Sequence, residues 1–205
     1  ALYLGYPEAK SMLHPGAHTQ VFDSGNPIEP PPSPRPSREE ARGAWGFPSG
    51  GGLVLLAFGG SQGARPLNAA ISAMLDAGIP PGLMLIWGTG QGSYDAYARH
   101  ESTSVRVLPY LSPIQRAYAA ADLALTRAGA LTVAELCAWG IPSVLVPLPT
   151  AASDHQRANA RALEAAGAAQ MIEQRTLDAA SLGGALAALA GSPAKLAAMA
   201  GSAHA

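Results

Sequence analysis

The sequence is short of several residue types whose scarcity narrows what it can do. One cysteine, Cys137, stands among 205 residues, so no disulfide can close within the chain. A lone thiol between Leu136 and Ala138, in an apolar helical pattern, reads as a small buried residue of a reducing compartment. That places the expected setting in the cytoplasm. Charged residues make up 13% of the chain and the net charge is -1. No Lys or Arg run forms the basic stripe that tracks a phosphate backbone, so nucleic acid is not expected as a partner. No apolar run approaches the roughly 20 residues of a membrane span. The longest, Leu53 to Phe58 and Val144 to Leu148, have strand length. Any membrane contact is therefore expected to be peripheral. Asp-x-Asp is absent, as is any His or Cys spacing suited to a metal. Neither a metal nor another cofactor is expected.

What is present is apolar residues, glycine and proline. With 48% hydrophobic residues the chain can bury a sizeable core. Leu2 to Leu4 reads as a strand entered midway, preceded by neither an initiator Met nor a basic leader, and the Ala-rich end at Ala205 lacks a clear helix cap. The expectation is a fragment cut at both ends. Residues 1–28 finish in Gly25-Asn26-Pro27-Ile28. Pro30, Pro31, Pro32, Pro34 and Pro36 then make a stretch that cannot hold regular structure. Residues 29–52 are read as a stiff linker with a short helix over Ser37 to Ala44, broken by Gly50-Gly51-Gly52 before the main domain, 53–205.

From Leu53 onward continuous apolar strands near 53–58, 83–87, 105–108, 122–126, 143–146 and 169–172 alternate with helical segments near 63–77, 93–99, 114–120, 130–139 and 155–166. Helices near 178–190 and 193–203 follow. This alternation predicts an α/β fold of Rossmann-like type, a parallel sheet with helices on both faces. In such a sheet the ligand sits beyond the carboxyl ends of the strands, which selects five loops.

The first, Gly59-Gly60-Ser61-Gln62-Gly63-Ala64, opens a helix; its glycines let N–H groups approach an anion, and the helix end adds partial positive charge. It is not a P-loop, but it matches G-x-S-x-G with Ser61 in the nucleophile position. Gly88-Thr89-Gly90-Gln91-Gly92-Ser93 falls short of a dinucleotide fingerprint, because Ser93 replaces the third glycine and no acid closes the next strand. These glycines are read by default as a flexible loop. Pro109-Tyr110-Leu111-Ser112-Pro113 is pinned by two prolines, leaving the peptide groups of Leu111 able to face a planar base edge.

The fourth loop, Thr126 to Glu135, puts Arg127 beside a glycine-bearing helix N-terminus, so a cation and free N–H groups meet at one anion. Thr132 and Glu135 share a helix face, and a carboxylate there can accept from two vicinal ribose hydroxyls. The alternative is that Arg127 and Glu135 are solvated or pair with each other. In the fifth loop Asp154 is a credible N-cap, while His155 and Gln156 can bond sugar hydroxyls.

Together these segments resemble the C-terminal donor domain of the MurG family, transferases built from two Rossmann-like halves (GT-B). The resemblance rests on Gly59 to Arg65, Arg127 to Glu135, Gly140-Ile141-Pro142, Asp154-His155-Gln156 through Asn159-Ala160, and Ala165 to Ala169. It implies an inverting N-acetylglucosaminyltransferase that moves the sugar of UDP-N-acetylglucosamine to a polyprenyl-diphosphate-linked muramoyl-pentapeptide at the cytoplasmic membrane face, in peptidoglycan synthesis. It further implies that Leu111 contacts uracil through its backbone and Glu135 the ribose. Ser61, Arg127, Ala130 and Thr132 would lie near the diphosphate and Gln156 near the sugar, with Gln62 also among the substrate-binding residues. No metal belongs to the donor site. Residues 1–28 then read as the tail of an N-terminal acceptor domain that carries the catalytic base, without which the isolated chain is expected to be inactive. Two positions depart from the family: Glu29 stands where it has Arg after the Gly-Asn-Pro-aliphatic junction, and Arg157 follows Gln156 where a second Gln is usual. Two other readings remain, a serine hydrolase using Ser61 with His155 and Asp122 or Asp154, and a non-catalytic nucleotide-sugar-binding subunit.

Overall fold

The computed structural model describes residues 1–5, 10, 13–16, 18–48 and 52–204. Gly50 and Gly51 of the glycine break, and Ala205, lie outside them. Near the start, β1 (Leu2–Leu4) pairs in parallel with β2 (Val21–Asp23). A short helix follows, α1 (Arg38–Gly43), with Ser37 and Glu40 forming a capping box at its start.

The main domain is one parallel sheet of six strands in the order β5-β4-β3-β6-β7-β8. These are β3 (Leu53–Phe58), β4 (Leu83–Gly88), β5 (Val105–Leu108), β6 (Leu123–Thr126), β7 (Ser143–Leu145) and β8 (Ala169–Met171). The helices are α2 (Arg65–Ala77), α3 (Tyr94–Tyr97), α4 (Gln115–Ala120), α5 (Ala130–Trp139), α6 (His155–Ala165), α7 (Ala179–Ala190) and α8 (Pro193–His204). The segment expected as one helix over 93–99 is a 3₁₀ turn, the short α3 and a second 3₁₀ turn. No single helix among the described residues is long and apolar enough to cross a membrane.

The strands are apolar at nearly every position because both faces are covered. Leu55, Ala57, Leu85, Trp87 and Leu125 pack with Leu67 and Ile71 of α2 and Leu182 and Leu186 of α7. Val54, Leu56, Phe58, Ile86 and Ala124 face the other way, toward Tyr118 of α4, Val133 and Leu136 of α5 and Ala160 of α6. The expected linker is docked on this second face: Ala41 and Phe47 join the core there, and Trp45 Nε1 donates to the Arg116 carbonyl, 3.1 Å away.

Strand order fixes where a ligand can go. The chain runs outward from β3 to β4 and β5, then returns to lay β6 on the other side of β3. The loops leaving β3 and β6 therefore diverge to opposite faces and open a crevice between them. Phe58 is paired with Thr126 at the last rung, so the chain leaves the two strands side by side, as Gly59 and as Arg127.

Candidate functional site

The first two glycine loops are built into one another. Gly63 has φ +75°, and a Cβ there would stand 2.0 Å from the Thr89 carbonyl oxygen; Gly90 has φ +87°, and its Cβ would meet the Gln62 carbonyl group at 2.5 Å. Only glycine satisfies both the left-handed backbone and the close approach. Beneath them the fully buried Asn68 donates to the Thr89 carbonyl at 2.8 Å and accepts from Trp87 Nε1 at 3.0 Å. The loop after β4, expected to be flexible, is thus clamped between neighbours.

Two adjoining cavities occupy the crevice. The larger, about 420 Å³, is lined by Phe58, the loop glycines Gly59, Gly60 and Gly63, the helix start 64–66, Arg127, Gly129, Thr132, Leu148 and Gln156. It carries two arginines, Arg65 and Arg127, and no acidic residue. Both helices that open onto it begin without a side-chain cap, α2 at Ala64 and α5 at Gly129. Their first-turn N–H groups, other than at Pro66 of α2, which has none, remain available to a bound anion, and both macrodipoles favour one. The smaller cavity, about 100 Å³, is lined mainly by Phe58, Gly60, Ser61, Gly88, Tyr110, Leu111 and Ile114. Neither backbone polar group of Leu111 is hydrogen-bonded among the described residues.

The residues singled out in the sequence fall into three groups. Ser61 and Leu111 line the smaller cavity; Arg127, Thr132 and Gln156 line the larger. Gln62, Ala130 and Glu135 line neither, although Gln62 precedes Gly63 and presents its carbonyl to Gly90, and Ala130 is the first residue of α5. Glu135 lies one turn below Thr132, and its Oε2 accepts from the Tyr118 hydroxyl at 2.7 Å. Arg127 and Glu135 are not paired with each other. Arg127 donates to the carbonyls of Val146 and Pro147 at 3.0 and 3.2 Å and to Gln174 Oε1 at 2.6 Å; burial pushes its pKa below the ordinary arginine value. Gln156 Oε1 accepts from the Leu148 N–H at 3.0 Å, leaving its NH₂ as the free end.

Two expectations change. Asp154 occupies the N-cap position of α6 but makes no side-chain cap bond, because Ser153 and Asp154 turn through the left-handed region, φ 50° and 54°. Its carboxylate pairs with Arg157 instead, 2.7 Å away. The hydrolase constellation is not assembled: His155 Nδ1 bonds the Ala152 carbonyl, and Asp122 precedes β6, at the end of the sheet opposite Ser61, where it is held by Arg38 and Arg42. Sequence reasoning gave no role to Arg65, Asn68, Tyr118 or Gln174. Arg65 was within reach as a cation on the first turn of a helix behind a glycine loop; the others show only once the strand order is known. Among the described residues no three His, Cys, Asp or Glu side chains form a metal-holding group.

Known proteins are similar to this chain in sequence and in fold. The "UDP-N-acetylglucosamine--N-acetylmuramyl-(pentapeptide) pyrophosphoryl-undecaprenol N-acetylglucosamine transferase" of Salinibacter ruber is 43% identical over 87% of this chain and 48% of its own length. The protein of the same name from Chlorobaculum parvum is 45% identical over 88% of this chain and 49% of its own. The crystal structure of MurG from Acinetobacter baumannii superposes with a TM-score of 0.70 and 33% identity, over 83% of this chain and 49% of that one. The chain spans about half the length of the curated relatives it matches. The model of the glycosyltransferase family 28 C-terminal domain matches residues 54–205, and on that match, together with the parallel sheet and its acid-free crevice, the chain belongs to glycosyltransferase family 28.

Proposed function

We propose that the paired cavities bind UDP-N-acetylglucosamine, and that the chain supplies the donor site of a transferase moving N-acetylglucosamine to a lipid-linked muramoyl-pentapeptide. One observation carries this reading: two uncapped helix N-termini and two arginines open onto a cleft with no acidic lining. That is a site for a doubly charged anion met by fixed dipoles and cations. The mostly apolar slot beside it, sharing Phe58 and Gly60 with the cleft, accepts a flat base, whose edge can bond the free peptide groups of Leu111.

The remaining roles follow the path of the ligand. Glu135 receives the ribose hydroxyls, and Ser61, Gln62, Ala130 and Thr132 surround the diphosphate. Gln156 donates its NH₂ to the sugar. When the bond between the sugar's anomeric carbon and the β-phosphate oxygen breaks, the electron pair stays on the diphosphate. The macrodipoles of α2 and α5 and the charge of Arg127 then oppose the growing negative charge where it forms, which is the part of catalysis this chain can supply. The acceptor, its lipid, the base that takes the acceptor proton and peripheral contact with the cytoplasmic membrane face are assigned to the half of the relatives this chain does not match, with residues 1–28 as the tail of that domain.

Titration calorimetry of the 205-residue chain with UDP and with UDP-N-acetylglucosamine tests the reading. Saturable one-to-one binding of both is expected, and folded protein that binds neither would sink it.

A further inference from the structure

Arg127, which lines the cleft, and Arg157, which follows Gln156 on α6, are treated in opposite ways by two consecutive residues. After β8 the chain turns through a 3₁₀ segment, Gln174–Thr176. Just before it, the Glu173 carboxylate takes Arg157 Nε and Nη2 at 3.0 and 3.1 Å, and Arg157 also holds Asp154. Arg157 therefore faces two carboxylates and is neutralised. Gln174 Oε1 takes Arg127 Nη2 at 2.6 Å, and the other acceptors of that guanidinium are carbonyls. Arg127 is fixed by three neutral oxygens and keeps its whole charge, in a cleft whose lining adds no acid.

We propose that Gln174 is a positioning residue of the donor cleft, anchoring Arg127 through a neutral amide so that the guanidinium is rigid yet uncompensated toward the diphosphate. The inference rests on the donor-site reading above. An arginine without an anchor loses side-chain entropy each time it orders on a ligand. One anchored by a carboxylate is ordered but has its charge cancelled before the anion arrives. An amide avoids both penalties. The turn holds the amide in place, because the Thr176 N–H bonds the Glu173 carbonyl and the Leu177 N–H bonds the Gln174 carbonyl, 2.9 and 3.2 Å.

The test substitutes charge for amide at constant shape. UDP and uridine are titrated into wild type, Gln174→Glu and Gln174→Ala, with uridine as the probe that lacks phosphates, and thermal melts report the fold. Gln174→Glu is expected to weaken UDP about tenfold or more, the size of effect that follows when a charge-assisted interaction is cancelled, while uridine affinity and melting temperature hold. Gln174→Ala, which removes one of the three anchoring oxygens and keeps the charge, should fall between. UDP affinity unchanged in Gln174→Glu overturns the inference and leaves the donor site standing. Equal losses for UDP and uridine also overturn it, since they would mark a general structural role. Wild type that binds no UDP overturns the donor-site reading, and the inference with it. Should Gln174→Glu fail to fold, Gln174→Ala decides the matter: a loss confined to UDP supports the inference, and a loss shared with uridine overturns it.

Discussion

The Glu135 carboxylate accepts a hydrogen bond from Tyr118, and Tyr118 is only 2% exposed. Burial first, and then that hydrogen bond, push the Tyr118 phenol far above its ordinary pKa, so it remains a neutral donor at any working pH. Removing Glu135 as Ala therefore does two things at once, deleting a ribose acceptor and leaving a buried hydroxyl without a partner. Glu135→Gln separates them, because the amide oxygen still accepts from Tyr118 while the charge is gone. Glu135→Ala is expected to lose about 1–3 kcal/mol of UDP binding and a similar amount of stability, whereas Glu135→Gln loses most of that binding and little stability. Calorimetry and melts on the same samples check this, and full UDP affinity in both variants would remove Glu135 from the site. The sequence supplied Glu135 through its spacing from Thr132, a local relation along one helix. It could not supply Tyr118, which reaches Glu135 from another helix and is named only by the packing of α4 against α5.

Elements were legible where they bury both sides. The inner strands β3, β4 and β6 stand out as apolar runs, because a strand covered on both faces needs no alternation, whereas the edge strands β5 and β8 are interrupted by Arg106 and Gln170. What periodicity does not carry is which loops touch. Gly63 and Gly90 are 27 positions apart in the sequence and meet because β4 lies beside β3. Gly63→Ala would force a non-glycine residue into a left-handed backbone, costing about 1–3 kcal/mol, and would drive its methyl into the Thr89 carbonyl. The expected result is a lower melting temperature together with loss of UDP binding, since the same loop forms the cleft wall. A variant that melts and binds like wild type would contradict the interlock. A second element prediction concerns α7, whose N-cap Asp178 accepts from the Ser181 N–H at 2.7 Å. That backbone hydrogen bond, followed by the Ser181 side chain, lowers the Asp178 pKa. A lowered carboxylate pKa means stability that is fully present above the unfolded-state value and lost as pH falls through the folded-state one. Asp178→Ala should therefore melt below wild type at neutral pH, with the gap closing below about pH 3.9. A gap of constant size down to pH 2 would show that the cap is not the cause.

Across the whole molecule, the expected linker is fastened to the sheet at the end away from the crevice. Asp122 accepts from the Val54 N–H at 2.8 Å and returns its own N–H to the Val54 carbonyl at 2.9 Å. Its carboxylate also pairs with Arg38 and Arg42 of α1. Arg35 extends the attachment by donating to the carbonyls of Ala138 and Trp139, which close α5, and by lying 5.5 Å over the Trp139 ring. None of this was readable from the proline-rich composition, which reports stiffness but not docking. Asp122 and Arg127 lie at the two ends of β6, roughly 16 Å apart at 3.3 Å per residue. Stability and ligand binding should therefore separate. Asp122→Ala leaves the mostly buried Arg42 without its partner and should cost roughly 2–3 kcal/mol, somewhat under the figure for a fully buried pair. Arg38→Ala, at an exposed side chain, should cost well under about 1 kcal/mol. At temperatures where Asp122→Ala is still folded, its UDP affinity should match wild type, because nothing in the cleft wall depends on the amino ends of the strands. Denaturant melts and calorimetry on the two variants test both halves of the claim. Reduced UDP affinity in folded Asp122→Ala would mean that the docking of α1 is transmitted along β3 and β6 to the loops they carry.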